Sequence, residues 1–164
     1  MQELLGSLDF NLSTDPRWLI LESGYNPMRE HEIETLLTIG NGYLGTRGSL
    51  EEGNLSGRQS TLVAGYFDPK EGGKDVPALV IVPDWLYTVI TLDGKPINFE
   101  NGELLEQKRW VDLYNAVGVR QWRWRDSLGR ITSIFTMKFA SLADPHALAP
   151  VSYTHLTLPT ILRV

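Results

Sequence analysis

The chain of 164 residues has no cysteine, which excludes a disulfide framework, a thiolate metal site and a cysteine nucleophile. Histidine offers no substitute: His31-Glu32 opens like a zinc-protease helix, but Thr35 stands where the second histidine belongs, so neither a metal nor a bound cofactor is expected. Basic residues are the minority, 15 Lys+Arg against 20 Asp+Glu for a net charge of -5, and they are scattered. Such a balance gives no drive toward phosphate backbones, and nucleic acid is not an expected partner. No run approaches the ~18 apolar residues of a membrane-spanning helix, and residues 1–11 lack the cationic start and apolar stretch of a signal peptide. The expectation is a cytoplasmic protein that does not bind membranes.

What is present suits one domain able to bury its own core. Residues 1–16 are a polar lead-in ending in Ser13-Thr14-Asp15-Pro16, a turn-like cluster. Beyond it the sequence is punctuated as strands, over 18–22, 36–39, 43–44, 61–67, 78–82, 86–92, 103–111, 116–125 and 131–141. Asn41-Gly42 and Asp93-Gly94 supply hairpin turns. The alternation in 131–141, with Ile131, Phe135, Met137 and Phe139 on one face and Thr132, Thr136 and Lys138 on the other, predicts a half-buried strand. In 116–125 the phase changes between Val117/Val119 and Trp122/Trp124, which a bulge near Arg120 or burial on both faces would explain. Residues 30–37 fit helical spacing through Ile33, Leu36 and Leu37, but a turn leading into a strand is favoured. Many short strands with closely spaced turns predict an all-β sandwich.

Three motifs have competing readings. Gly40-Asn41-Gly42-Tyr43-Leu44-Gly45 satisfies the dinucleotide fingerprint, yet Thr46-Arg47-Gly48-Ser49 follows instead of a helix with an apolar stripe. A tight turn is the better reading. Glu51-Glu52 could be paired carboxylates for acid/base work, but neighbours on a strand point to opposite faces, and a solvated acidic turn is preferred. The five tryptophans suit a sandwich core better than sugar-stacking platforms, with Trp85 after Pro83-Asp84 the most plausible exposed one.

The stretch VSYTHLTLPT, Val151 to Thr160, resembles a translated artefact. Back-translated as GTC TCT TAT ACA CAT CTG ACG CTG CCG ACG, it matches a transposase mosaic end running into a sequencing adapter. The expectation is a gene cut near Ala149 and an artefactual tail over 150–164, in which Tyr153 and His155 carry no function.

Read as a unit, Glu34-Thr35-Leu36-Leu37-Thr38-Ile39-Gly40-Asn41-Gly42-Tyr43-Leu44-Gly45-Thr46-Arg47-Gly48-Ser49-Leu50-Glu51-Glu52 resembles the N-terminal domain of glycoside hydrolase family 65. The likeness continues through Ala64-Gly65-Tyr66-Phe67-Asp68, Pro83-Asp84-Trp85-Leu86, Leu92-Asp93-Gly94-Lys95-Pro96-Ile97, Gly118-Val119-Arg120 and Lys138-Phe139-Ala140-Ser141-Leu142-Ala143. It covers about residues 17–149. Val111 stands where a leucine is usual and Lys138 where an arginine is usual; the latter matters more, because lysine lacks arginine's bidentate fork.

That family holds maltose, trehalose and kojibiose phosphorylases and some trehalose hydrolases. The resemblance implies part of a galactose-mutarotase-like β-supersandwich, truncated before an (α/α)6 catalytic barrel. It also implies a parent enzyme acting on an α-glucosyl disaccharide, with inorganic phosphate as co-substrate and a homodimeric assembly. Catalytic and phosphate-binding residues belong to the barrel, so no catalytic and no metal residue is assigned here. Arg47, Glu51 and Trp85, in or beside the loop 46–53, are the candidates for contact with the barrel. The alternatives are a standalone carbohydrate-binding or interaction module, and a fragment of a trehalose-type hydrolase.

Overall fold

The computed structural model describes residues 12–53, 56–68 and 77–157. Residues 1–11 of the expected lead-in and residues 158–164 of the expected tail lie outside the described residues. Among the described residues three antiparallel sheets form. The largest has the order β1-β8-β9-β10-β11, built from β1 (Leu19–Ser23), β8 (Glu103–Asp112), β9 (Val117–Arg125), β10 (Ile131–Ala140) and β11 (Leu148–Thr157). A second sheet joins β2 (Ile39–Gly40), β3 (Leu44–Thr46), β4 (Thr61–Asp68) and β5 (Ala78–Val82), and a two-stranded ribbon joins β6 (Thr91–Leu92) to β7 (Lys95–Pro96). The all-β expectation holds.

Both hairpin turns form where Asn-Gly and Asp-Gly stand. Asp93 and Gly94 take φ of 51° and 76°, the left-handed pair that a two-residue hairpin demands. Asn41 turns β2 into β3, its Oδ1 accepting from the Tyr43 and Leu44 amides. The fingerprint glycines therefore serve a strand turn, in which Gly42 has φ 88°.

Register assigns each residue of the large sheet a face. Trp110 pairs with Val119 and Val119 with Met137, and Val117, Val119, Phe135 and Met137 form an apolar cluster joined by Leu12, Trp110 and Phe139; we term this the outer face. Arg109 pairs with Arg120 and Arg120 with Thr136 on the other, inner face. The β9–β10 register is unbroken from Val117's side to Arg125, so burial on both faces explains the phase change in β9. The irregularity lies instead in β8, between Leu104 and Glu106.

Three expectations need correction. Residues 30–37 are not a turn into a strand: α1 spans Glu30–Leu36, with Glu30, Ile33 and Glu34 buried and Leu36 49% exposed. The buried stripe is 30, 33, 34 and 37, a helical face, and two of its four members are glutamates. Residues 86–92 are not one strand either, since only Thr91–Leu92 pairs. The Thr88 amide donates to the Glu51 carbonyl and the Leu86 amide to Asp84 Oδ1, so the hydrogen bonds of this segment go to a loop instead of a neighbouring strand. Finally, β10 is not half-buried: Thr132, Ile134, Thr136 and Lys138 are as buried as Phe135 and Met137.

The edge strand β11 pairs with β10 along its whole length, from Leu148 opposite Ala140 to Thr157 opposite Ile131. Its residues from Pro150 onward are exposed, so it is held through its backbone.

Candidate functional site

The inner face of the large sheet carries Gln107, Arg109, Arg120, Thr136 and Lys138, all buried. Charges in that position must be answered, because an unpaired buried ion costs several kcal/mol. The answer comes from the 46–53 loop and from α1. Arg120 is the hub: Nε and Nη2 donate to Gln107 Oε1 at 3.1 and 2.8 Å, Nη1 to Glu51 Oε2 at 2.8 Å, and Nη2 to Glu52 Oε1 at 2.7 Å. Nη1 also donates to Glu52 Oε2. The guanidinium carbon lies 4.4 Å from the Trp122 ring centre, a cation–π contact. Thr136 Oγ1 donates to Glu51 Oε1 at 3.1 Å, and Lys138 Nζ lies 3.5 Å from the same oxygen while donating to the Ser49 carbonyl at 3.2 Å.

Burial alone would raise the Glu51 carboxyl, but the charges of Lys138 and Arg120 and the Arg120 hydrogen bond outweigh it and hold it down at about 2. Arg120 is held above its ordinary range, because the two carboxylates outweigh its own desolvation. Glu51 is thus ionised at neutral pH, enclosed, and partnered at both carboxylate oxygens. It is equipped to pin the loop to the sheet, and has no proton to give as a general acid.

A second set of pairs fixes α1. Arg109 holds Glu30 through two parallel hydrogen bonds of 2.7 and 2.9 Å, the bidentate geometry that arginine favours. Glu34 Oε2 accepts from Arg47 Nη2 at 3.3 Å and from the Arg58 amide at 2.9 Å, while Arg47 Nη2 also donates to the His31 carbonyl at 2.7 Å. Gly48 lies so close to the helix end that a Cβ there would sit 2.5 Å from Leu37 Cβ and 2.6 Å from its carbonyl oxygen. Only glycine fits at that contact.

The three sequence candidates are therefore placed differently. Arg47 is partly exposed, its side chain 26% accessible. Glu51 and Glu52 are not a solvated acidic turn, since Glu51 is 7% exposed and both converge on Arg120. They meet because the turn at 51–52 frees them from strand alternation. Trp85 is half-buried against Ile33, Leu37, Ile39 and Val111. Arg120 and Gln107 of the hub, and Arg109 and Glu30 of the pair that fixes α1, were missed. Strand parity was the available signal, since Arg120 shares its face of β9 with Trp122 and Trp124. Among the described residues no group of three potential metal ligands forms, and no helix is long and apolar enough to cross a membrane.

A family model described as glycosyl hydrolase family 65, N-terminal domain, matches residues 20–154. The chain belongs to this family. Kojibiose phosphorylase from Thermoanaerobacter brockii is 34% identical over 150 residues, covering 88% of this chain and 19% of the relative. Alpha,alpha-trehalose phosphorylase from the same organism is 27% identical, covering 84% and 19%. A 3-O-alpha-D-glucosyl-L-rhamnose phosphorylase from Lachnoclostridium phytofermentans is 28% identical, covering 77% and 20%. The family 65 chain thus spans about a fifth of the length of these relatives. A solved structure assigned as a kojibiose phosphorylase from human microbiome aligns with a TM-score of 0.77 at 17% identity, over 88% of this chain and 20% of that one. At that identity the likeness is one of fold.

Proposed function

We propose that this family 65 domain is the non-catalytic N-terminal part of a disaccharide phosphorylase acting on an α-glucosyl disaccharide. The observation that carries the reading is the family match over residues 20–154 together with relatives named as phosphorylases of kojibiose, trehalose and glucosyl-rhamnose. The buried, neutralised Glu51 supports a structural role for the domain. In the parent, a general acid of the (α/α)6 barrel protonates the glycosidic oxygen while inorganic phosphate attacks the anomeric carbon from the opposite face. The old C–O bond breaks as the new one forms, with inversion to β-glucose 1-phosphate. Phosphate is the co-substrate, the parent is a cytoplasmic homodimer, and the native part of the domain runs over 17–149 with an artefactual tail over 150–164.

The domain's task in this reading is to present a rigid surface to the barrel. Arg47 and Trp85 are the contact side chains, and Glu51 holds the 46–53 loop that carries Arg47 from beneath. The test begins with sequencing across codon 150 from source DNA without a transposase-made library, followed by expression of the complete reading frame. Phosphate-dependent release of glucose 1-phosphate from an α-glucosyl disaccharide is the expected result, with Arg47→Ala lowering activity or assembly. Glucose release without phosphate would make the parent a trehalose-type hydrolase. A genomic stop after Val164 would make the chain a standalone carbohydrate-binding or interaction module.

A further inference from the structure

Beside the Arg120 hub lies a buried donor without a protein partner. Trp122 is 2% exposed and its Nε1–H meets no protein acceptor, whereas the Trp124 indole, two residues on, donates to the Asn98 carbonyl at 3.0 Å. An indole N–H buried without an acceptor forfeits the hydrogen bond that it makes to water when exposed. Trp122 also walls a cavity of about 10 Å³ whose polar lining is Glu51, Glu52, Thr88, Arg120 and Thr136. That volume is about one water molecule's worth, and such a site needs two to four polar partners to hold it.

The charges around the cavity decide what kind of ligand fits. Two carboxylates, Glu51 and Glu52, line it with one cation, Arg120, and Lys138, outside the lining, pairs with Glu51, so the cluster as a whole is neutral. A cation would be repelled by Arg120 and an anion by the carboxylates. A small neutral molecule able both to accept and to donate answers every wall. The acceptors are present: Glu51 Oε2 and both Glu52 oxygens each receive one bond from Arg120, and a carboxylate oxygen has a second lone pair.

We propose that this cavity is a binding site for one ordered water, which accepts from Trp122 Nε1–H and donates to the Glu51 and Glu52 carboxylates. The water closes a hydrogen-bonded ring that ties β9 to the 51–52 turn through Trp122 as well as through Arg120. Glu51, Thr88 and Thr136 also line a cleft of about 180 Å³ beside Leu86 and Pro150.

The test is water-selective NOE and ROE spectroscopy on the 15N-labelled chain. A direct water cross-peak is expected at the Trp122 indole proton and none at that of Trp124, and the Trp122 peak is lost in Trp122→Phe. The peak persists in Thr88→Val, which removes a neighbouring hydroxyl able to relay the signal. An assigned Trp122 indole proton without a water cross-peak, or a peak abolished by Thr88→Val, overturns the proposal. Should Trp122→Phe fail to fold, triple-resonance assignment of the wild-type chain gives the same decision.

Discussion

The two faces of the five-stranded sheet differ in that only the inner one buries a cluster of ions among its apolar side chains. The outer face is closed by Val117, Val119, Phe135 and Met137, whose contribution scales with area removed from water and has little directionality. On the inner face, between the apolar clusters that Val111 joins at one end and Trp122, Trp124 and Ile134 at the other, Arg109, Arg120 and Lys138 are buried against Glu30, Glu51 and Glu52, where each ion is tolerated only because a named partner is present. One face should forgive changes of shape that conserve volume. The other should forgive no single removal, yet accept coordinated ones.

The largest effect is expected at the hub. Arg120→Met leaves Glu51 and Glu52 buried with only Lys138 nearby, and should cost about 3–5 kcal/mol in urea unfolding. Adding Glu51→Gln and Glu52→Gln should recover part of that loss, because the uncompensated charges go with it. A single Arg120→Met variant as stable as wild type would break the distinction between the faces. On the outer face, Met137→Ala should cost about 2–5 kcal/mol, whereas Met137→Leu should cost less than about 1.5; equal losses in the two unfolding curves would show that the outer face is also held by specific geometry.

Gly48→Ala sharpens the comparison at the boundary between helix and loop. Its new methyl would meet the Leu37 Cβ and carbonyl, and a lowered melting temperature equivalent to about 1–3 kcal/mol is expected. The smallest effect belongs to Glu103→Ala, which removes the exposed pair with Arg125; such pairs are screened by solvent, and no shift of the unfolding midpoint is expected.

The same contrast explains what the sequence made legible. The strands β8, β9 and β10 and the turns at Asn41-Gly42 and Asp93-Gly94 follow from alternation and turn chemistry, which act locally. The helix α1 was hidden because Glu30 and Glu34 occupy two of its four inward positions, so its apolar count fell short of a stripe. The ion cluster was hidden for a related reason. Charged residues are ordinarily solvated, and nothing local in Glu51-Glu52 reveals that Arg120, 69 positions away, will lie opposite. The resemblance to family 65 placed Arg120 and Lys138 in quoted segments without saying that they meet.

The most direct test of the buried ion cluster is the pH dependence of unfolding in wild type and Glu51→Gln. The Glu51 carboxyl lies at about 2 in the folded chain against an ordinary 4.5, so the unfolded chain binds the proton more readily. Its contribution to stability is complete above about pH 4.5 and is lost as pH falls toward 2. Asp112, also held below its ordinary value despite its desolvation by hydrogen bonds from Asn115 and nearby amides, leaves a residual slope in both proteins. Wild type should therefore lose stability more steeply than Glu51→Gln across that window. Parallel curves would contradict the account, since they would mean that Glu51 is no better ionised in the folded chain than in the unfolded one.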